Sequence, residues 1–163
     1  MMVLMDACSI INLSNAHSLE RVVLLPDYRL AVSPTVVGEC NTGAATEIVD
    51  LHAAGLLDFV DIDAVPTDRY FDLLSELALG EGETECIAIA EMRDCLLCCD
   101  DRKARRCASD IIGEERLMGS LRLLRFSVHQ HLMSGDEAME FYHTMIDCGG
   151  FLPNVNLEYF TDH

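Results

Sequence analysis

What most constrains this chain is the alternation of short apolar runs with longer helical patterns. Val3-Leu4-Met5 and residues 96–99 (LLCC) are apolar throughout, the pattern of strands buried on both faces. Residues 29–33 (RLAVS) and 57–62 (LDFVDI) read as two more strands, and Leu117-Met118 as a short fifth. Between them lie helical patterns. One begins at Ile10, Ile11 and Leu13, and another, carrying Val36, Val37 and Cys40, follows the Ser33-Pro34 cap. Further helices are expected over 44–54, from Thr67 or Asp68 to 79, over 83–94 and from Asp100-Asp101 to 112. Two more, over about 121–132 and 136–148, end the pattern. Strands alternating with helices predict a three-layer α/β/α sandwich around a central, mostly parallel sheet.

The length, 163 residues, suits one domain. We read residues 1–150 as the domain and 151–163 as an irregular tail packed on it or extending from it. An apolar fraction of 50% excludes a disordered chain. Asp6 interrupts the N-terminal apolar run, and no stretch approaches the roughly 20 apolar residues that span a bilayer, so a cytoplasmic protein without membrane attachment is expected. Cys86, Cys98, Cys99 and Cys107 lie within apolar helix and strand patterns, which favours reduced thiols over a disulfide framework.

Open parallel sheets bind ligands beyond the carboxyl ends of their strands. Asp6 ends the first strand there and Asp100-Asp101 end the fourth. Glu39 lies on the helix after the second strand, and Glu83 opens the helix leading into the fourth. Each acid also has a purely structural reading. Asp100 or Asp101 serves as a helix N-cap, Glu83 suits a helix dipole, and Glu39 is one solvated residue among many. Asp6, directly after a buried strand, is the hardest to explain structurally. At 100° per residue, the apolar stripe of the 83–94 helix places Glu83 inward and Glu85 outward. Converging carboxylates without His or Cys partners suit hard cations such as Mg²⁺ or Mn²⁺, and hence hydrolytic phosphoryl transfer.

The segments VLMDACSIINL (3–13), SPTVVGEC (33–40), LGEGETECIAIA (79–90) and CCDDRKARRCA (98–108), with a weaker echo at MGSLRLL (118–124), resemble the PIN-domain ribonucleases, including VapC-type toxins. From residue 80 onward the chain looks most like an uncharacterised prokaryotic PIN subgroup. The resemblance implies a PIN-like fold and catalytic acids at Asp6, Glu39, Glu83 and Asp101. It implies metal ligation by Asp6, Glu83, Asp101 and the adjacent Asp100. The implied activity is Mg²⁺- or Mn²⁺-dependent hydrolysis of RNA phosphodiesters, with a small antitoxin protein as partner and a homodimer as the assembly. Where the family often has Thr or Ser two residues before the last acid, this chain has Cys99. Cys8 stands where a hydroxyl or Asn is frequent, and Arg122 where a Gly is usual. These departures leave a second class open, a weakly active or non-catalytic PIN scaffold that binds nucleic acid.

Other patterns carry less. Cys95-Leu-Leu-Cys98 has no second pair at zinc spacing, and His129 and His131 do not share a helix face. The 136–148 helix, with Met139, Phe141, Tyr142 and Met145, reads as core packing, or as a face for a dimer or antitoxin.

The net charge of −17, taken as uniform, argues against nucleic acid, but the charge is not uniform. Residues 102–125 hold seven of the eleven basic residues against three acids, a local +4 against −21 elsewhere. Arg102, Lys103, Arg105 and Arg106 begin that stripe beside Asp101, which makes them the expected RNA-binding residues, unless the stripe is simply a solvated helix face.

Overall fold

The computed structural model describes residues 1–162, so His163, the end of the expected tail, lies outside the described residues. Five strands, β1 (Met2–Met5), β2 (Arg29–Val32), β3 (Asp58–Phe59), β4 (Leu96–Cys98) and β5 (Leu117–Met118), form one sheet in the order β3-β2-β1-β4-β5. Every pairing is parallel. β1 is central, with Leu4 facing Ala31 of β2 and Leu97 of β4, and Val3, Leu4 and Met5 are fully buried.

Among the described residues ten α-helices cover the sheet in a three-layer α/β/α arrangement: α1 (Ala7–Asn15), α2 (Leu19–Val22), α3 (Pro34–Glu39), α4 (Thr42–Ala53), α5 (Thr67–Leu77), α6 (Glu81–Arg93), α7 (Arg102–Ile112), α8 (Ser120–His129), α9 (Gly135–Asp147) and α10 (Leu157–Thr161). α1 packs with α8 and α9, while α6 packs with α5 and α7 and lies on β1 and β4.

Apart from α2 and α10, for which no helix is expected, the elements fall where the pattern predicts, with shifted ends. β3 keeps two residues of the expected six, because Ile62 turns into a short 3₁₀ helix capped by Asp61. The expected irregular tail contains α10, capped by Asn156, whose Phe160 is fully buried. Five residues are too few for a helical period to show in sequence.

α6 corrects the facing argument made from its stripe. Gly82 and Thr84 through Ala90 are all buried, because α3, α5, α7 and the sheet surround this stretch. Glu85, expected outward, is 6% exposed and accepts a hydrogen bond from Thr35 Oγ1 at 2.7 Å. Glu83 is half-buried. Helical arithmetic assumes one wet face, and this part of α6 has none.

Candidate active site

The strand order reverses direction at β1, so the crevice beyond β1 and β4 is the topological switch point where α/β sheets place ligands. Two ladder bonds extend the sheet past the strand ends there. Asp6 N–H donates to Cys98 O at 3.0 Å, and Cys99 N–H donates to Met118 O at 3.0 Å. The first seats Asp6 beside the end of β4. The second brings Gly119 against Asp100, where a Cβ on Gly119 would stand 2.8 Å from Asp100 Oδ1.

Four of the acids each use one oxygen on a backbone N–H. Asp6 caps α1 by accepting from Ser9 N–H at 2.8 Å through Oδ1. Asp101 caps α7, its Oδ1 accepting from Ala104 N–H at 2.8 Å. Glu83 Oε2 accepts from Gly80 N–H at 3.0 Å, and Glu39 Oε1 accepts from Gly82 N–H at 2.9 Å. A Cβ on Gly82 would overlap the Glu39 carboxylate, so a side chain there would displace it. Asp100 is no cap. Its Oδ2 accepts from Asn12 Nδ2 and its Oδ1 from Ser120 N–H, both at 2.8 Å, tying α1 and α8 to the end of β4.

Asp6 is 1% exposed, and its Oδ2 is buried without a hydrogen-bond partner. Burial pushes its carboxyl from 3.8 up to about 6, against the stabilising Cys99 thiol and Ser9 N–H, and the neighbouring Asp100 charge pushes the same way. The Cys99 thiol also points at Asp101 O, 3.7 Å away. Burial and then the Asp6 charge hold that thiol far above its ordinary range. Partial burial of the Cys8 sulfur, with the charges of Asp6, Glu83, Asp101 and Asp100, pushes its thiol up to about 12. Cys40, half-buried, is pushed up to about 11 by burial and then by Glu39 and Asp6. The acids spread through the sequence therefore share one field.

An all-oxygen donor set with an unpartnered buried carboxylate oxygen fits a hard divalent cation such as Mg²⁺ or Mn²⁺. As the side chains stand, no three His, Cys, Asp or Glu residues among the described ones are close enough to share an ion. The basic residues differ from one another in role. Arg105 donates to Cys99 O at 2.9 Å and Met118 O at 2.7 Å, stapling β4 to β5. Lys103 Nζ donates to Ala78 O. Arg102 lies 6.0 Å from the Phe151 ring centroid, and Arg106 is exposed.

Two cavities of about 280 Å³ flank Asp100. One is lined by Cys8, Asn12, Asp101, Gly150 and Phe151, the other by Arg105, Gly119, Arg122, Pro153 and Tyr159. Asn12, Ser120 and Phe151 escaped the sequence reading. Asn12 two turns into α1 and Ser120 after a two-residue strand have no signal of their own, since each matters only through contact with Asp100.

The parallel sheet places Asp6 at the end of β1 and Asp100 and Asp101 just past the end of β4, at its switch point. The chain belongs to the PIN-domain family: DUF3368, described as a PIN domain, matches residues 2–159. No curated protein matches. Among solved structures it is similar to the crystal structure of PAE2754 from Pyrobaculum aerophilum, with a TM-score of 0.56 at 15% identity, over 78% of this chain and 90% of that one. That likeness concerns the fold alone. PIN domains are generally nucleases acting on nucleic acids, and typically depend on divalent metal. No helix among the described residues is long and apolar enough to cross a membrane.

Proposed function

We propose that this PIN domain is a Mg²⁺- or Mn²⁺-dependent endoribonuclease and serves as the toxin of a toxin–antitoxin pair. The observation that carries the catalytic reading is Asp6, a buried carboxylate with one unpartnered oxygen, in a field shared with Asp100, Asp101 and Glu83. Asp6, Glu83 and Asp101, with Asp100, would hold the ion. When bound, it would supply Lewis acidity and neutralise phosphodiester charge. The chain's own residues fix the geometry. Ser9 N–H orients Asp6, Asn12 and Ser120 N–H orient Asp100, and Gly82 N–H orients Glu39. Arg102, Lys103, Arg105 and Arg106 lie on α7 beside these acids, where an RNA backbone would approach. The toxin role rests on the family resemblance, and the acid excess outside 102–125 suits a basic antitoxin segment.

Cleavage of RNA in Mn²⁺ tests the activity: activity in chelator, or undiminished in Asp6→Asn, defeats it. Growth arrest on expression, relieved by the product of a neighbouring small reading frame, tests the toxin role. A second reading, a PIN scaffold that binds nucleic acid without cutting efficiently, is favoured by Asp100, whose two oxygens are both engaged by protein donors. Thermal stabilisation by Mn²⁺ without cleavage would select it.

A further inference from the structure

Phe151 is 83% exposed, more than any other large apolar side chain among the described residues, and it stands on the rim of the acid cleft. The turn that presents it is closely packed. Gly149 turns the chain after α9 at φ +94°, a left-handed conformation suited to glycine. Gly150 N–H then donates to Met145 O at 2.8 Å. A Cβ on Gly150 would stand 2.8 Å from Asn12 Oδ1, so the turn lies flush against the residue whose amide holds Asp100. The Arg102 guanidinium stands 6.0 Å from the Phe151 centroid.

We propose that Phe151, with Arg102, is a stacking platform for one unpaired nucleobase of a single-stranded nucleic acid lying in the acid cleft. This rests on the nuclease reading. Without a metal ion a phosphate beside Asp100 and Asp101 is repelled and the uncharged base is not. The base therefore suits the exposed ring on the rim, and the backbone suits the basic face of α7. Every base has a π face that an exposed ring accepts without regard to sequence, and Arg adds stacking and charge. A duplex hides those faces, so the platform selects unpaired strands.

The chain contains no Trp, so Phe151→Trp introduces a single tryptophan that can be excited selectively over the tyrosines. In an Asp6→Asn background that blocks cleavage, oligouridylate should quench it, while the same strand made of abasic nucleotides should not. Phe151→Ala should weaken oligouridylate binding by roughly 5- to 150-fold and leave binding of the abasic strand unchanged. Phe151→Trp should bind like the parent. No loss in Phe151→Ala, or an equal loss on both strands, overturns the platform and leaves the nuclease reading standing. A change of oligomeric state in Phe151→Ala without selective loss of base binding assigns the ring to a protein contact and also overturns it. If the unsubstituted protein binds neither strand and cleaves no RNA, the nuclease reading fails and the platform falls with it.

Discussion

Burying a carboxylate at the end of a central strand disfavours its charged form, and at Asp6 two short-range contacts oppose that effect incompletely. In the unfolded chain this carboxyl loses its proton near 3.8, and in the folded chain near 6. Between those values the folded state holds more protons, so stability falls as pH rises from about 4 to about 6 and is level above that. In chelator, urea denaturation should show this decline in the unsubstituted chain and not in Asp6→Asn. Asn keeps the cap to Ser9 N–H without the charge. At pH 7.5 Asp6→Asn should be the more stable, by at most about 3 kcal/mol, and Mn²⁺ should narrow the difference by favouring the ionised carboxylate. Cys99→Ser replaces a weak thiol donor with a stronger hydroxyl facing Asp6. The acid limb of the pH–rate profile should move to lower pH, and an unmoved limb would show that Cys99 does not tune Asp6. Asp6 was legible in sequence because a charge directly after a buried strand breaks a strong pattern. Asn12 was not, because its role depends on a partner 88 positions away.

At the level of elements, the sheet carried the prediction and the helix faces did not. Apolar runs such as Val3-Leu4-Met5 mark buried strands whatever covers them, so strand positions and the acids at their ends follow from the sequence. α6 is enclosed by three helices and the sheet, so its periodicity does not say which side meets solvent, and Glu85 went inside. The loops between elements impose stricter demands than the helix stripes. Gly119 lets Asp100 approach Ser120 N–H, and Gly119→Ala would bring a Cβ within 2.8 Å of Asp100 Oδ1. Loss of that charge-assisted bond should lower stability by about 1.5–3 kcal/mol and RNA cleavage at least about tenfold. Gly82→Ala differs, because the atoms it displaces are the mobile end of Glu39. Cleavage should change while the denaturation midpoint stays nearly constant. Equal stability losses in the two variants would show that Glu39 is held as firmly as Asp100.

Across the whole molecule, an excess of 17 negative charges repels a polyanion except where basic side chains face it. The sequence locates that exception in 102–125, but not how much of its charge is available. The Arg105 guanidinium is spent on the Cys99 and Met118 carbonyls, and the Lys103 ammonium reaches the Ala78 carbonyl. Of the four residues expected to contact RNA, Arg102 and Arg106 therefore present their charge outward most directly. Two phosphate contacts on a single strand give a slope of log Kobs against log salt of roughly −1.4, about −0.7 per contact. Arg106→Ala should make that slope shallower by about 0.7 and leave the thermal midpoint nearly unchanged. Arg105→Ala should do the reverse, lowering the midpoint by freeing two strand-end carbonyls while the slope stays close to that of the parent. A slope near −2.8, the value for four contacts, would mean that Lys103 and Arg105 leave their carbonyl partners when RNA binds. The basic stripe would then act as one surface rather than as two staples and two contacts.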